Sequence, residues 1–126
     1  MTEAEDLAQR IDTIERGYEY LLAYAAQGRQ DDNGSDVRQT LTNMHASLIG
    51  LSGLLASVLE SASPKTTAEA AGFVDAITDD ARKARGAIAL VLSRPRISSL
   101  LVDNLNASIH LRALLTDVFL AEQSLK

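Results

Sequence analysis

The sequence predicts an all-α protein, an antiparallel up-down-up-down four-helix bundle formed as a single domain over residues 1–126. Apolar residues recur at alternating steps of four and three through three long segments, the spacing of helices packed at a shallow angle. No segment alternates with period two, and β-branched residues are scattered, so no strand is expected. Turn-rich breaks divide the chain into four stretches of similar length, at about 3–28, 36–61, 67–93 and 98–124.

The first helix is expected to start at Thr2. Thr2-Glu3-Ala4-Glu5 matches a capping box, in which threonine oxygen and glutamate carboxylate satisfy free backbone amides. Leu7, Ile11, Ile14, Tyr18, Leu21 and Ala25 form its stripe, and Gly28 is a C-terminal stop. Arg29-Gln30-Asp31-Asp32-Asn33-Gly34 reads as a solvent loop. The second helix contains the stretch that organises the rest. From Gln39 to Leu59 there is no formal charge, and Val37, Leu41, Met44, Leu48, Leu51, Leu55 and Val58 make a heptad-like stripe. Its back carries Ala46, Ser47, Gly50, Gly53 and Ser57. An apolar face with a small, uncharged back predicts a central helix covered on more than one side.

The third helix opens with Thr66-Thr67-Ala68-Glu69, a second capping box. Ala70, Val74, Ile77, Ala81, Ala84, Ile88 and Val91 continue it until Pro95, which disfavours helix in the residue before it. The fourth is the least regular. Leu101, Val102, Leu105 and Ile109 give one face; Leu111, Leu114, Leu115, Val118 and Phe119 give a shifted, wider one.

The net charge is −5 and unevenly placed, with nine acids against three bases in residues 1–36. Nucleic-acid affinity is mostly phosphate neutralisation, so an acidic chain is not expected to bind it. The asymmetry suits a protein partner. Cysteine is absent, which excludes disulfides, thiolate metal sites and a cysteine nucleophile. The acidic N-terminus (Glu3, Glu5, Asp6) lacks the basic-then-apolar run of a secretory signal, so a cytoplasmic, bacterial protein is expected. The uncharged stretch is long enough to span a membrane, but Gln39, Asn43 and His45 interrupt it and polar segments flank it. No membrane span is expected.

Several residue groups are candidates for chemistry. His45 lies about 40° off the second helix's stripe. His45-Ala46-Ser47-Leu48-Ile49-Gly50 loosely resembles the phosphoacceptor segment of histidine phosphotransfer domains, which are four-helix bundles of this size. That resemblance implies phosphotransfer through His45, although Ile49 precedes the glycine and the family's nearby lysine is missing. The preferred reading is a boundary histidine bonded to an oxygen. His110 shares one face of a continuous fourth helix with Asp103, Asn106 and Asp117, read as a solvated polar face. Glu-x-x-His occurs nowhere, so the di-iron bundle signature is absent and neither metal nor cofactor is expected.

Arg94-Pro95-Arg96-Ile97-Ser98-Ser99 sets two arginines before a serine-bearing helix start, a candidate anion cradle using Arg94, Arg96, Ser98 and Ser99. Arg112 falls about 20° from Leu101 and Phe119, inside the apolar stripe of an unbroken fourth helix, so it must snorkel or meet a partner. Tyr20 and Tyr24 are one turn apart and point away from the first helix's stripe, which fits equally a contact patch or rings that cover a neighbouring loop. The expectation is therefore a non-enzymatic interaction protein: an adaptor, chaperone or complex subunit that acts through apolar helix faces. It pairs with itself as a homodimer or with another protein, and Tyr20, Tyr24, Leu111, Arg112, Leu114 and Val118 are the interface candidates. The alternatives are phosphotransfer through His45 and small-ligand or anion binding through Arg94–Ser99.

Overall fold

The capping box at the start of the chain forms as the sequence predicts. In the computed structural model the Glu5 amide donates to Thr2 Oγ1 at 3.1 Å, and Glu5 Oε1 accepts from the Thr2 amide at 3.3 Å. The structure describes residues 1–125, except the side chains of Thr66 and Thr67. Its order is α1 (Glu3–Ala25), α2 (Val37–Leu48), α3 (Leu51–Ala62), α4 (Pro64–Glu69), α5 (Ala71–Leu92), α6 (Ser99–Ser108) and α7 (Leu111–Gln123). The protein is all-α, with no strand among the described residues.

Two expected helices are broken. The second divides at Ile49-Gly50, where Gly50 takes φ +71° and the axes of α2 and α3 differ by 43°. A left-handed residue suits glycine, which has no Cβ to clash. The carbonyls freed there do not depend on water alone, because Arg10 of α1, held by Asp6 at 3.0 Å, reaches across to them. Its Nη1 lies 3.4, 3.3 and 2.6 Å from the carbonyl oxygens of Ala46, Ser47 and Ile49. A guanidinium placed at a helix C-terminus also complements the negative end of the dipole. The fourth divides at Ile109-His110, where Ile109 is extended and His110 caps α7 without a side-chain bond.

The third expected helix is preceded by the short α4, with Pro64 at the first position, where its missing N–H costs nothing. The capping box expected at Thr66–Glu69 rests on side chains outside the described residues. The long helix α5 begins later, after Ala70, which makes no side-chain cap.

Helix α1 packs against α2, α3, α6 and α7, and α5 packs against α2, α3, α4, α6 and α7. The core is one apolar cluster that includes Leu7, Leu21, Leu41, Leu55, Ile77, Ile88, Val102 and Leu114. The α1–α2 approach is close, since a Cβ on Gly17 would lie 2.3 Å from the Met44 sulfur. The uncharged stretch is not covered on several sides as expected. Ala46, Gly50 and Gly53 are exposed, and no atom would touch a Cβ added at either glycine. Among the described residues no single helix is long and apolar enough to cross a membrane; the bent pair α2 and α3 passes by length and composition only.

Candidate functional site

The segment expected to be a solvent loop is tied to the rest of the chain by several hydrogen bonds. Tyr24, at the end of α1, is 1% exposed, because the loops after α1 and α5 close over it. Its hydroxyl donates to the Ile97 carbonyl at 2.5 Å, with the Asp31 carbonyl 3.1 Å away. Ser99 donates from Oγ to the Tyr24 carbonyl at 2.7 Å and accepts from the Arg29 amide at 2.8 Å. The Ser99 amide donates to the Arg29 carbonyl at 2.9 Å, so the two loops are joined backbone to backbone as well.

Asp32 ties the same loops by charge. Its Oδ1 accepts from the Ile97 amide at 2.9 Å, and its Oδ2 accepts from Arg38 Nε at 3.2 Å. The rest of the Arg38 guanidinium donates to the carbonyls of Leu92 (2.9 Å) and Arg94 (3.1 Å), at and beyond the end of α5. The Ile97 amide, and then Arg38, hold the Asp32 carboxyl below its ordinary range despite partial burial. Burial pushes the Tyr24 phenol above its ordinary value, against the opposing pull of Ser35 and Arg29. The Arg29 guanidinium lies over the Tyr24 ring, 5.5 Å from its centre. Tyr20 stacks on Tyr24 at 6.2 Å and accepts from the Asp36 amide.

These contacts correct several sequence-based expectations. Tyr24 is a buried anchor rather than a contact-patch residue, and Tyr20 is half-buried beside it. Of the expected anion cradle, Ser98 caps α6 by accepting from the Leu101 amide, and Ser99 is buried between Tyr24 and Arg29. Only Arg94 and Arg96 remain exposed there. Both hydroxyls are committed to the fold, which removes them from an anion.

The break at Ile109-His110 corrects the expected interface. It resets the helical phase, so that Leu111, Leu114, Leu115, Val118 and Ala121 fall on one buried face of α7. Leu111, Leu114 and Val118 are therefore core residues, and Arg112 is exposed rather than inside the stripe. The same break separates Asp103 from His110 and Asp117, and no metal-binding cluster occurs among the described residues. Asn106 donates from Nδ2 to the Leu21 carbonyl at 3.3 Å, leaving Oδ1 buried without a partner among the described residues. His45 is half-buried in α2, and no oxygen binds it among the described residues.

One open surface lies between α1 and α7. Tyr18, Leu22, Leu115 and Phe119 floor a groove of about 400 Å³, edged by Glu15 and Glu19 on α1 and by Arg112 and Thr116 on α7. It adjoins a cleft of about 490 Å³ at the Ile109-His110 break, which shares Tyr18, Arg112 and Thr116. Glu15, Glu19 and Arg112 are exposed and form no ion pair among the described residues. Sequence reasoning found Arg112 but missed Glu15, Glu19 and Leu22. Their steps of four and three along one edge of α1 were the available signal. Comparison with protein-family models, curated proteins and solved structures gives no match for this chain.

Proposed function

We propose that this chain is a non-enzymatic interaction protein that works through an apolar helix face and associates with itself. On this reading the fold is an up-down-up-down four-helix bundle, with α2 and α3 forming one arm, α6 and α7 another, and α4 leading into α5. The observation that carries the proposal is the outer surface of α1 and α7. Leu22 and Phe119 stay exposed there although the inward face of α7 is already fully packed. Surplus apolar area on helices whose core is complete is the mark of an interaction face, since each Å² kept from water is worth about 25 cal/mol.

The polar groups favour the same reading. Tyr24, Ser98, Ser99, Asp32, Arg29 and Arg38 bond to the chain itself, which is the behaviour of a scaffold rather than a reaction centre. Light scattering across a concentration series tests the proposal. A homodimer at micromolar concentration is expected; a strict monomer at high concentration would count against self-association.

A further inference from the structure

We infer that the α1–α7 groove is the seat of self-association, and that its occupant is the same groove of a second copy. The inference rests on the interaction reading above and names its partner. The groove has an apolar floor in Leu22, Leu115 and Phe119, but its two walls differ in sign. The α1 wall carries Glu15 and Glu19, and the α7 wall carries Arg112. All three charges are exposed, and none has an ion-pair partner among the described residues.

A surface with both signs on opposite walls is its own complement. A twofold axis running along the groove lays α7 of each protomer over α1 of the other. That operation brings each Arg112 to the partner's Glu15 and Glu19 and closes the two apolar floors together. Twofold pairing requires such self-complementarity, because every contact made one way is repeated in reverse. A basic or an acidic peptide would satisfy only one wall. Arg112 suits the position, since a guanidinium pairs with carboxylates in a fixed fork and gives up its hydration more readily than an ammonium.

The test uses two charge-reversed forms of the full chain, Arg112→Glu and the double variant Glu15→Arg with Glu19→Arg. The altered side chains are exposed, so helical circular dichroism should be unchanged. Alone, each form sets like charges against like across the twofold, and its dimer dissociation constant should rise about tenfold or more. Mixed in equal amounts, the two forms restore opposite charges at both contacts, and a heterodimer of near wild-type affinity should form. Light scattering reads all three samples. Dimerisation undiminished in both variants would overturn this face as the seat while leaving the interaction reading intact. Weakened variants that fail to recombine would overturn the twofold pairing. A wild-type chain that never associates would overturn both proposals.

Discussion

The two ends of the molecule are closed by different physics. At one end, the loops after α1 and α5 are joined by directed bonds that converge on Tyr24, Asp32, Arg38 and Ser99. At the other, the end of α3, the start of α5 and the end of α7 surround an apolar groove of about 270 Å³, lined by Leu59, Ala70, Phe73, Leu120, Ala121 and Leu125. Directed bonds specify one arrangement, because each buried donor or acceptor left unmet carries its full desolvation cost. Apolar contact is graded by area and tolerates imperfect closure. The polar end should therefore respond to pH and to single-atom changes, and the apolar end to changes of volume.

Four substitutions sharpen or break that comparison. Leu59→Ala removes a buried side chain from the apolar end and should cost about 3 kcal/mol in urea unfolding, nearly independent of pH. A cost that varied strongly with pH would erase the distinction between the ends. Tyr24→Phe deletes one oxygen and strands the Ile97 carbonyl, for which we expect about 2 kcal/mol. An unchanged midpoint would mean the hydroxyl is dispensable.

Asp32→Asn should cost less than Tyr24→Phe, with a diagnostic pH dependence. The folded carboxyl titrates below its unfolded value. Its contribution is therefore fully present above the ordinary value of about 4 and is lost as pH falls through the folded value. The gap in melting temperature between wild type and Asp32→Asn should be widest near neutrality and close in acid. A gap that is constant with pH would refute the assignment. The smallest effect is expected for Leu120→Ser, whose side chain is 61% exposed at the mouth of the apolar groove; the change should stay within about 0.5 kcal/mol.

The helical class and the main stripes could be read from spacing alone. Leu7, Ile11, Ile14 and Leu21 on α1 and Ile77 through Val91 on α5 are buried where their periodicity placed them, while Tyr18 of the same stripe is half-buried at the α1–α7 groove. The breaks were harder to see, for two different reasons. Across Ile49-Gly50 the step from Leu48 to Leu51 keeps the stripe in phase, so hydrophobic periodicity passes through the bend unaltered. Only Gly50 marked the place, and a glycine within a helix is an ambiguous sign. At Ile109-His110 the phase does change, and the wider apolar face of the fourth segment was the visible trace of that reset. Extrapolating one helix through it put Arg112 in the stripe and Leu114 at a surface, the reverse of what the structure contains. The loop network was illegible because its bonds join residues far apart in sequence, such as Tyr24 to Ile97 and Asp32 to Ile97. No local pattern encodes them.

The tight seat of Met44 against Gly17 gives the protein a chemical clock. The chain has two methionines, Met1 with 79% of its surface open and Met44 with none. Peroxide should convert Met1 to its sulfoxide at the rate of a free thioether, while Met44 reacts only during moments when α1 and α2 part. The ratio of the two rates, read by peptide mass spectrometry, measures how often that contact opens. Each such event also leaves a mark. A sulfoxide oxygen does not fit where a single added carbon would collide, so an oxidised Met44 cannot settle back against Gly17. Brief openings would then accumulate as lasting damage, and the age of a molecule under oxidative stress would be written at one sulfur atom.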